Sequence, residues 1–153
     1  MITILFLLKI FHIAAASIWI GGGLNAPRDI RRTLPLGQPY VSELMPRLRA
    51  IAQLMNVSAL ATLLSGIAIV FAVGGFGRVP HRIHVGLALT LLAFVAGRYL
   101  IRPVLGEIAQ AIKASPVAQD KVDHIMVRFR LVNNVEHGLR LAVLVLMVYP
   151  FTF

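Results

Sequence analysis

The chain contains no cysteine. That excludes disulfides, iron–sulfur clusters and thiolate metal sites. Acidic residues are also scarce, with 6 Asp and Glu against 15 Lys and Arg, for a formal charge of +9. In a soluble protein this balance would point to nucleic acid. Here the arginines cluster at the ends of apolar runs, so membrane topology explains them better and no nucleic-acid partner is expected. Charge of either sign is thin at 14%, while 58% of the residues are hydrophobic and mean hydropathy is +0.82. Soluble domains rarely have this composition; integral membrane proteins do. There is no internal repeat and no low-complexity tract. The first apolar run lacks the basic start of a signal peptide, carries a lysine within it, and is long enough to span a bilayer.

Four stretches meet the requirement of about 20 apolar residues per span. The expected fold is therefore an all-α integral membrane protein, a single four-transmembrane-helix bundle over residues 1–153. The helices are placed at about 2–24, 47–73, 81–105 and 120–149. Pro27, Pro35, Pro39 and Pro46 mark the first connector, and a glycine-rich turn over 74–80 marks the second. Pro103 is a point where the third helix could break. Val104–Lys113 reads as a short amphipathic piece in the interface, with Glu107 and Gln110 toward water. A turn is expected around Ser115–Pro116. Basic residues concentrate in and beside the first and third connectors, among them Arg28, Arg31, Arg32, Arg47, Arg49, Arg98, Arg102, Lys113, Lys121, Arg128 and Arg130. The second connector has Arg78 and Arg82. The first and third connectors are thus expected in the cytoplasm and both termini outside. A multi-pass protein of the bacterial cytoplasmic (inner) membrane is the expected localisation.

Lys9 to Arg28, KIFHIAAASIWIGGGLNAPR, is the most unusual stretch. Lys9 and His12 lie one helical turn apart at a depth where charge is expensive and normally faces protein. Trp19 follows two turns beyond His12 on roughly the same face, where it could stack on a flat ligand or simply pack. Gly21, Gly22 and Gly23 allow close backbone approach. The second unusual stretch is in the fourth helix. Arg130, Asn133, His137 and Arg140 fall on one stripe, and Glu136 and Arg140 are spaced to pair. A polar network that only glues helices together is one reading; a buried ligand or proton site is the sharper one. Counted from the helix ends, His12 and His137 lie at similar depth, roughly 16–18 Å from the outer side. Two such histidines can hold a heme b between them. His84 competes with His137 as the second ligand if the first helix is shifted outward. His12, His81 and His84 could alternatively hold copper or zinc. The scattered methionines weigh against a copper relay. His124 is read as solvated.

Lys9, His12, Trp19, Gly22, Pro27 and Arg28 match, in identity and spacing, the pattern that opens the HemJ-type membrane protoporphyrinogen oxidases. The chain also resembles the related CopD copper-resistance membrane proteins. Met45, Arg47, Leu48 and Gly66 resemble the second HemJ helix, and Arg130, Asn133 and Pro150–Phe151 the fourth. The resemblance implies a four-helix membrane protein that binds heme b and oxidises protoporphyrinogen. It makes His12 the heme-associated histidine, with Lys9, Trp19 and Arg28 as neighbours. The sequence departs from the family at Asn133–Asn134–Val135–Glu136, where Asn–Glu–x–Pro is usual, and at His84, near the place of a lysine in the third helix.

The expected function is that of a heme-dependent membrane oxidoreductase or electron carrier. His12 with His137 or His84 would hold the iron. Arg140, Lys9 or Arg28 would meet propionates or an anionic substrate, with Trp19 and Asn133 beside the cofactor. Glu136 and Lys9 are the candidate catalytic groups, Glu136 as a proton carrier. The expected partners are the bilayer and a quinone or another membrane redox protein. Four helices enclose little volume, which leaves room for a homodimer. The alternative is a CopD-like copper transporter or metal-binding membrane protein.

Overall fold

Helices dominate because the apolar runs have no other way to satisfy their backbone in lipid. In the computed structural model, which describes residues 2–113 and 119–148, there is no strand among the described residues. The elements are α1 (Ile2–Gly21), α2 (Ala26–Thr33), α3 (Tyr40–Ala72), α4 (His81–Ala96), α5 (Arg102–Lys113) and α6 (Gln119–Val148). A π-helical turn, Gly97–Ile101, joins α4 to α5 without a break. Four helices are long and apolar enough to cross a membrane. The fold is that of a multi-pass, all-helical membrane protein.

Length decides the architecture. At 1.5 Å per residue, the 20 residues of α1 cover roughly 30 Å, about one hydrocarbon core. The 33 residues of α3 cover roughly 50 Å, so that helix overhangs the bilayer. The α4–α5 helix and α6 overhang as well, and α2 lies against the overhang. Side-chain neighbours fix the register. Gly22 and Gly66 stand against Met55 and His12, so α1 and α3 are antiparallel. Gly86 and Gly97 stand against Met147 and Glu136, so α4 and α6 are antiparallel too. The start of α1 and the end of α6 therefore share one end of the bundle, and the overhang occupies the other.

The first helix ends at Gly21 rather than at about residue 24, the first connector contains α2, and the second and third helices differ further from expectation. The second helix begins at Tyr40, not near Arg47, and carries Pro46 inside it. Val41, Leu44 and Leu48 share one face and are buried; their packing outweighs the roughly 3 kcal/mol cost of an interior proline. The third helix does not break at Pro103. The wider π turn just before it relieves the ring's clash with the preceding turn, and the helix continues. Val104–Lys113 therefore does not lie in the interface as a separate piece. Its apolar face of Val104, Ile108, Ala111 and Ile112 is buried in a core shared with α2, α3 and α6, and its Glu107 pairs with Arg128 at 3.2 Å. The expected turn at Ser115–Pro116 and the end of the last helix at Tyr149 fall outside the described residues.

Candidate functional site

The membrane helix α1 ends abruptly. Gly22 N–H returns to the Ile18 carbonyl at 2.8 Å, and Gly23 takes φ +75°, which favours glycine and stops the helix. A helix end leaves carbonyls without partners. Arg140 of α6 supplies them: its Nη1 donates to the Trp19 carbonyl at 3.1 Å and to that of Gly22 at 3.5 Å. A cation at a helix C-terminus is also favoured by the helix dipole. The same guanidinium lies over the Trp19 ring, 5.4 Å from its centroid. Its Nη2 pairs with Glu136, one turn back on α6.

Burial makes this group unusual. Arg140 is 1% exposed, Trp19 2%, Glu136 5% and Asn133 6%. Gly97 makes room for the carboxylate, since a Cβ there would lie 2.8 Å from Glu136 Oε1. Gly97 also opens the π turn, so the irregular stretch of α4 coincides with the buried acid. Glu136 Oε2 and Arg140 Nε have no hydrogen-bond partner among the described residues. Unpaired buried groups of this kind are costly.

Trp19, Asn133, Glu136 and Arg140 line a cavity of about 580 Å³, in the range of small-molecule sites. Leu48, Ala59, Phe94 and Ile101 give it apolar walls, and Gln53 and Asn56 add polar groups. Arg49, Arg98 and Arg102 also line it and are exposed. The arrangement suits an apolar body with a polar or anionic edge.

The histidines stand elsewhere. His12 on α1 is bonded through Nδ1 to Ser65 Oγ at 2.9 Å. The Ser65 hydroxyl donates to the Ala61 and Thr62 carbonyls at 2.6 and 3.1 Å. Nδ1 is then the protonated nitrogen, and Nε2 keeps the lone pair a metal would need. Gly66 lets the ring approach α3; a Cβ there would lie 3.2 Å from His12 Cε1. His84 has a buried Nδ1 without a partner and packs against Phe76 and His81, with centroids 5.7 and 5.9 Å away. Both ring nitrogens of His137 are buried.

These contacts place the candidates in layers. Gly66 faces both His12 and Leu87, and the neighbouring Gly86 faces Met147. His12 is therefore level with Leu87 and Met147, and His84 is about one turn from that layer. His137 adjoins Glu136, in the layer of Gly97 and Trp19. Seven residues separate His12 from Trp19 and ten separate His137 from Met147, so the two histidines are offset by roughly 10–15 Å along the bundle. A depth count from the outer ends makes them level only if α1 and α6 end together there, whereas α1 runs ten residues outward from the layer of His12 and Met147 and the described part of α6 runs one. Of the two pairings, His12 with His84 fits this register and His12 with His137 does not. No group of three or more His, Asp or Glu is placed to hold a metal ion among the described residues.

The other expected residues separate similarly. Lys9 is exposed near the start of α1, far along the bundle from Glu136. Arg28 is exposed on α2, away from His12. On α6 the inward stripe is Asn133, Glu136 and Arg140; Arg130 points out and is exposed. Ser65, Gly97 and the cavity-lining Arg98 and Arg102 were missed by sequence reasoning. Ser58, Thr62 and Ser65 recur at helical spacing within an apolar run, a legible sign of an inward polar face. Nothing in the sequence marked the π turn.

Comparison with models of known families, with curated proteins and with solved structures finds no match in any of the three. The fold defines the class: a multi-pass membrane protein with four helices able to span a bilayer.

Proposed function

We propose that this chain is a heme b-dependent membrane oxidoreductase or electron carrier of the kind its first helix resembles. The observation that carries the reading is His12, a half-buried imidazole in a membrane helix whose Nδ1 is anchored on Ser65, leaving Nε2 free for iron. His84, with its orphaned Nδ1, is the second axial candidate. Bound heme would supply one-electron redox chemistry. The chain's own residues bind the substrate in the Trp19 cavity. Its apolar body meets Phe94 and Ile101, and its polar edge meets Asn133 and Arg140. Each oxidation step releases protons with the electrons, and Glu136 Oε2 is the acceptor at hand. Electrons leave to a quinone or another membrane redox protein. The basic end is cytoplasmic and both termini face outward, in a bacterial inner membrane.

A CopD-like copper role has one observation in its favour: the Met147 thioether belongs to the His12 layer, and soft thioethers with imidazole suit copper. Detergent-purified protein titrated with hemin and, separately, with cuprous ion distinguishes the two. A b-type spectrum at about one heme per chain, reducible by dithionite, is the expected result. Protein that stays colourless with hemin but takes up stoichiometric copper would replace the heme reading with the copper one.

A further inference from the structure

The arginines at the overhanging end do more than set orientation. Helix α2 buries Ala26, Ile30 and Thr33, which turns Arg28, Arg31 and Arg32 outward. Arg130 of α6 comes in beside them, and together with Leu24 and Pro27 they line a cleft of about 430 Å³. The nearest acid does not neutralise it. Asp29 holds Arg47 at 3.1 Å and accepts the Thr33 hydroxyl at 3.3 Å. Arg28, Arg31, Arg32 and Arg130 make no hydrogen bond or ion pair with any described residue. Four unpaired guanidiniums lining one cleft repel one another and match the geometry of phosphate oxygens.

Depth narrows the ligand. α1 ends at Gly21 after roughly one hydrocarbon thickness. The cleft begins three residues later, at the level of lipid headgroups. Leu24 is 56% exposed and forms its apolar lip with Pro27. A phosphate on a water-soluble molecule would gain nothing from that lip; a glycerophospholipid would lay its backbone and upper acyl chain on it. We propose that the α2–α6 cleft binds the phosphate of an anionic phospholipid headgroup. The site is independent of the heme reading and uses Arg28 for lipid rather than for propionates.

The test is native mass spectrometry of the full chain in detergent. It would be titrated with dioctanoyl phosphatidylglycerol, dioctanoyl phosphatidylcholine and inorganic phosphate. One phosphatidylglycerol should bind in preference to phosphatidylcholine. Each arginine removed should weaken it about fivefold, the effect of one basic residue near an anionic surface. R31Q/R32Q alters α2, and R130Q alters α6 separately, so a folding failure of one leaves the other to be read. R78Q, at the opposite end, should bind like the parent. Equal binding of the two lipids, or unchanged binding in R130Q and R31Q/R32Q, would overturn the proposal. Inorganic phosphate that binds as tightly as phosphatidylglycerol would show a free-phosphate site and overturn the lipid assignment.

Discussion

At the overhanging end, the buried side chains are Ile30, Val41, Leu44, Leu48, Val104, Ile108 and Phe129. In the spanning middle most are small or polar, among them Ser58, Ala59, Thr62, Ser65, Thr90 and Ala93 beside Trp19, Val70 and Val143, while Leu60, Leu64, Leu91 and Leu92 face outward. The two regions belong to one set of helices but answer to different solvents. Where the helices overhang into water, apolar side chains gain by leaving it, as in a soluble protein. In lipid, the surroundings are as apolar as leucine, so small residues and interhelical hydrogen bonds hold the helices together. The Arg140 group sits where the regimes meet. It combines a membrane helix end with a charge that neither lipid nor an apolar core would accept alone.

The comparison can be broken most forcefully at that junction. Replacing Arg140 with leucine leaves Glu136 a buried acid without its partner and α1 without its cap. Unfolding in detergent should show a loss of about 3–5 kcal/mol. The E136L/R140L double variant should lose less than R140L alone; a larger loss would mean that the pair is not the coupled unit described. In the overhang, Phe129→Ala should cost about 3–5 kcal/mol by opening a cavity in a water-excluding core. Gly97→Ala forces a methyl against Glu136 and should cost about 1–3 kcal/mol. An unchanged midpoint would show that the acid does not need the notch. The smallest effect is expected for Leu64→Ala on the lipid face, within about 0.5 kcal/mol, because the leucine has lipid in both states. A loss like that of Phe129→Ala would erase the distinction between the two regions.

Much of the fold could be read from composition and run length, since span-length apolar stretches admit few alternatives. What escaped was the overhang. The prolines at 46 and 103 argue for breaks; packing of Val41 and Leu44 carries the helix through the first, and the π turn with packing of Val104 and Ile108 carries it through the second. For the site, the sequence points separately to Trp19 in the first helix and to Asn133, Glu136 and Arg140 in the fourth, and the structure brings all four to one cavity. Their neighbours were misjudged for a simple reason. Depth was counted from helix ends, and ends that are not level shift every layer. His137 therefore lies with Arg140 rather than with His12. Arg130 lies roughly 90° around the helix from the centre of Asn133, Glu136 and Arg140, at the edge of the expected stripe, and only the packing of α6 shows which side of that edge faces inward. Ser65 was passed over because one hydroxyl in an apolar run carries little signal without its partner.

The most direct test is a comparison of reduced-minus-oxidised absorption spectra of hemin-loaded parent, H12A and H137A proteins in detergent. On the proposed reading, in which His12 holds the iron and His137 lies roughly 10–15 Å away along the bundle, the parent should show b-type bands, H12A should lose them, and H137A should keep them. Bands that survive in H12A, or that vanish only in H137A, would contradict both the ligand assignment and the layered register behind it.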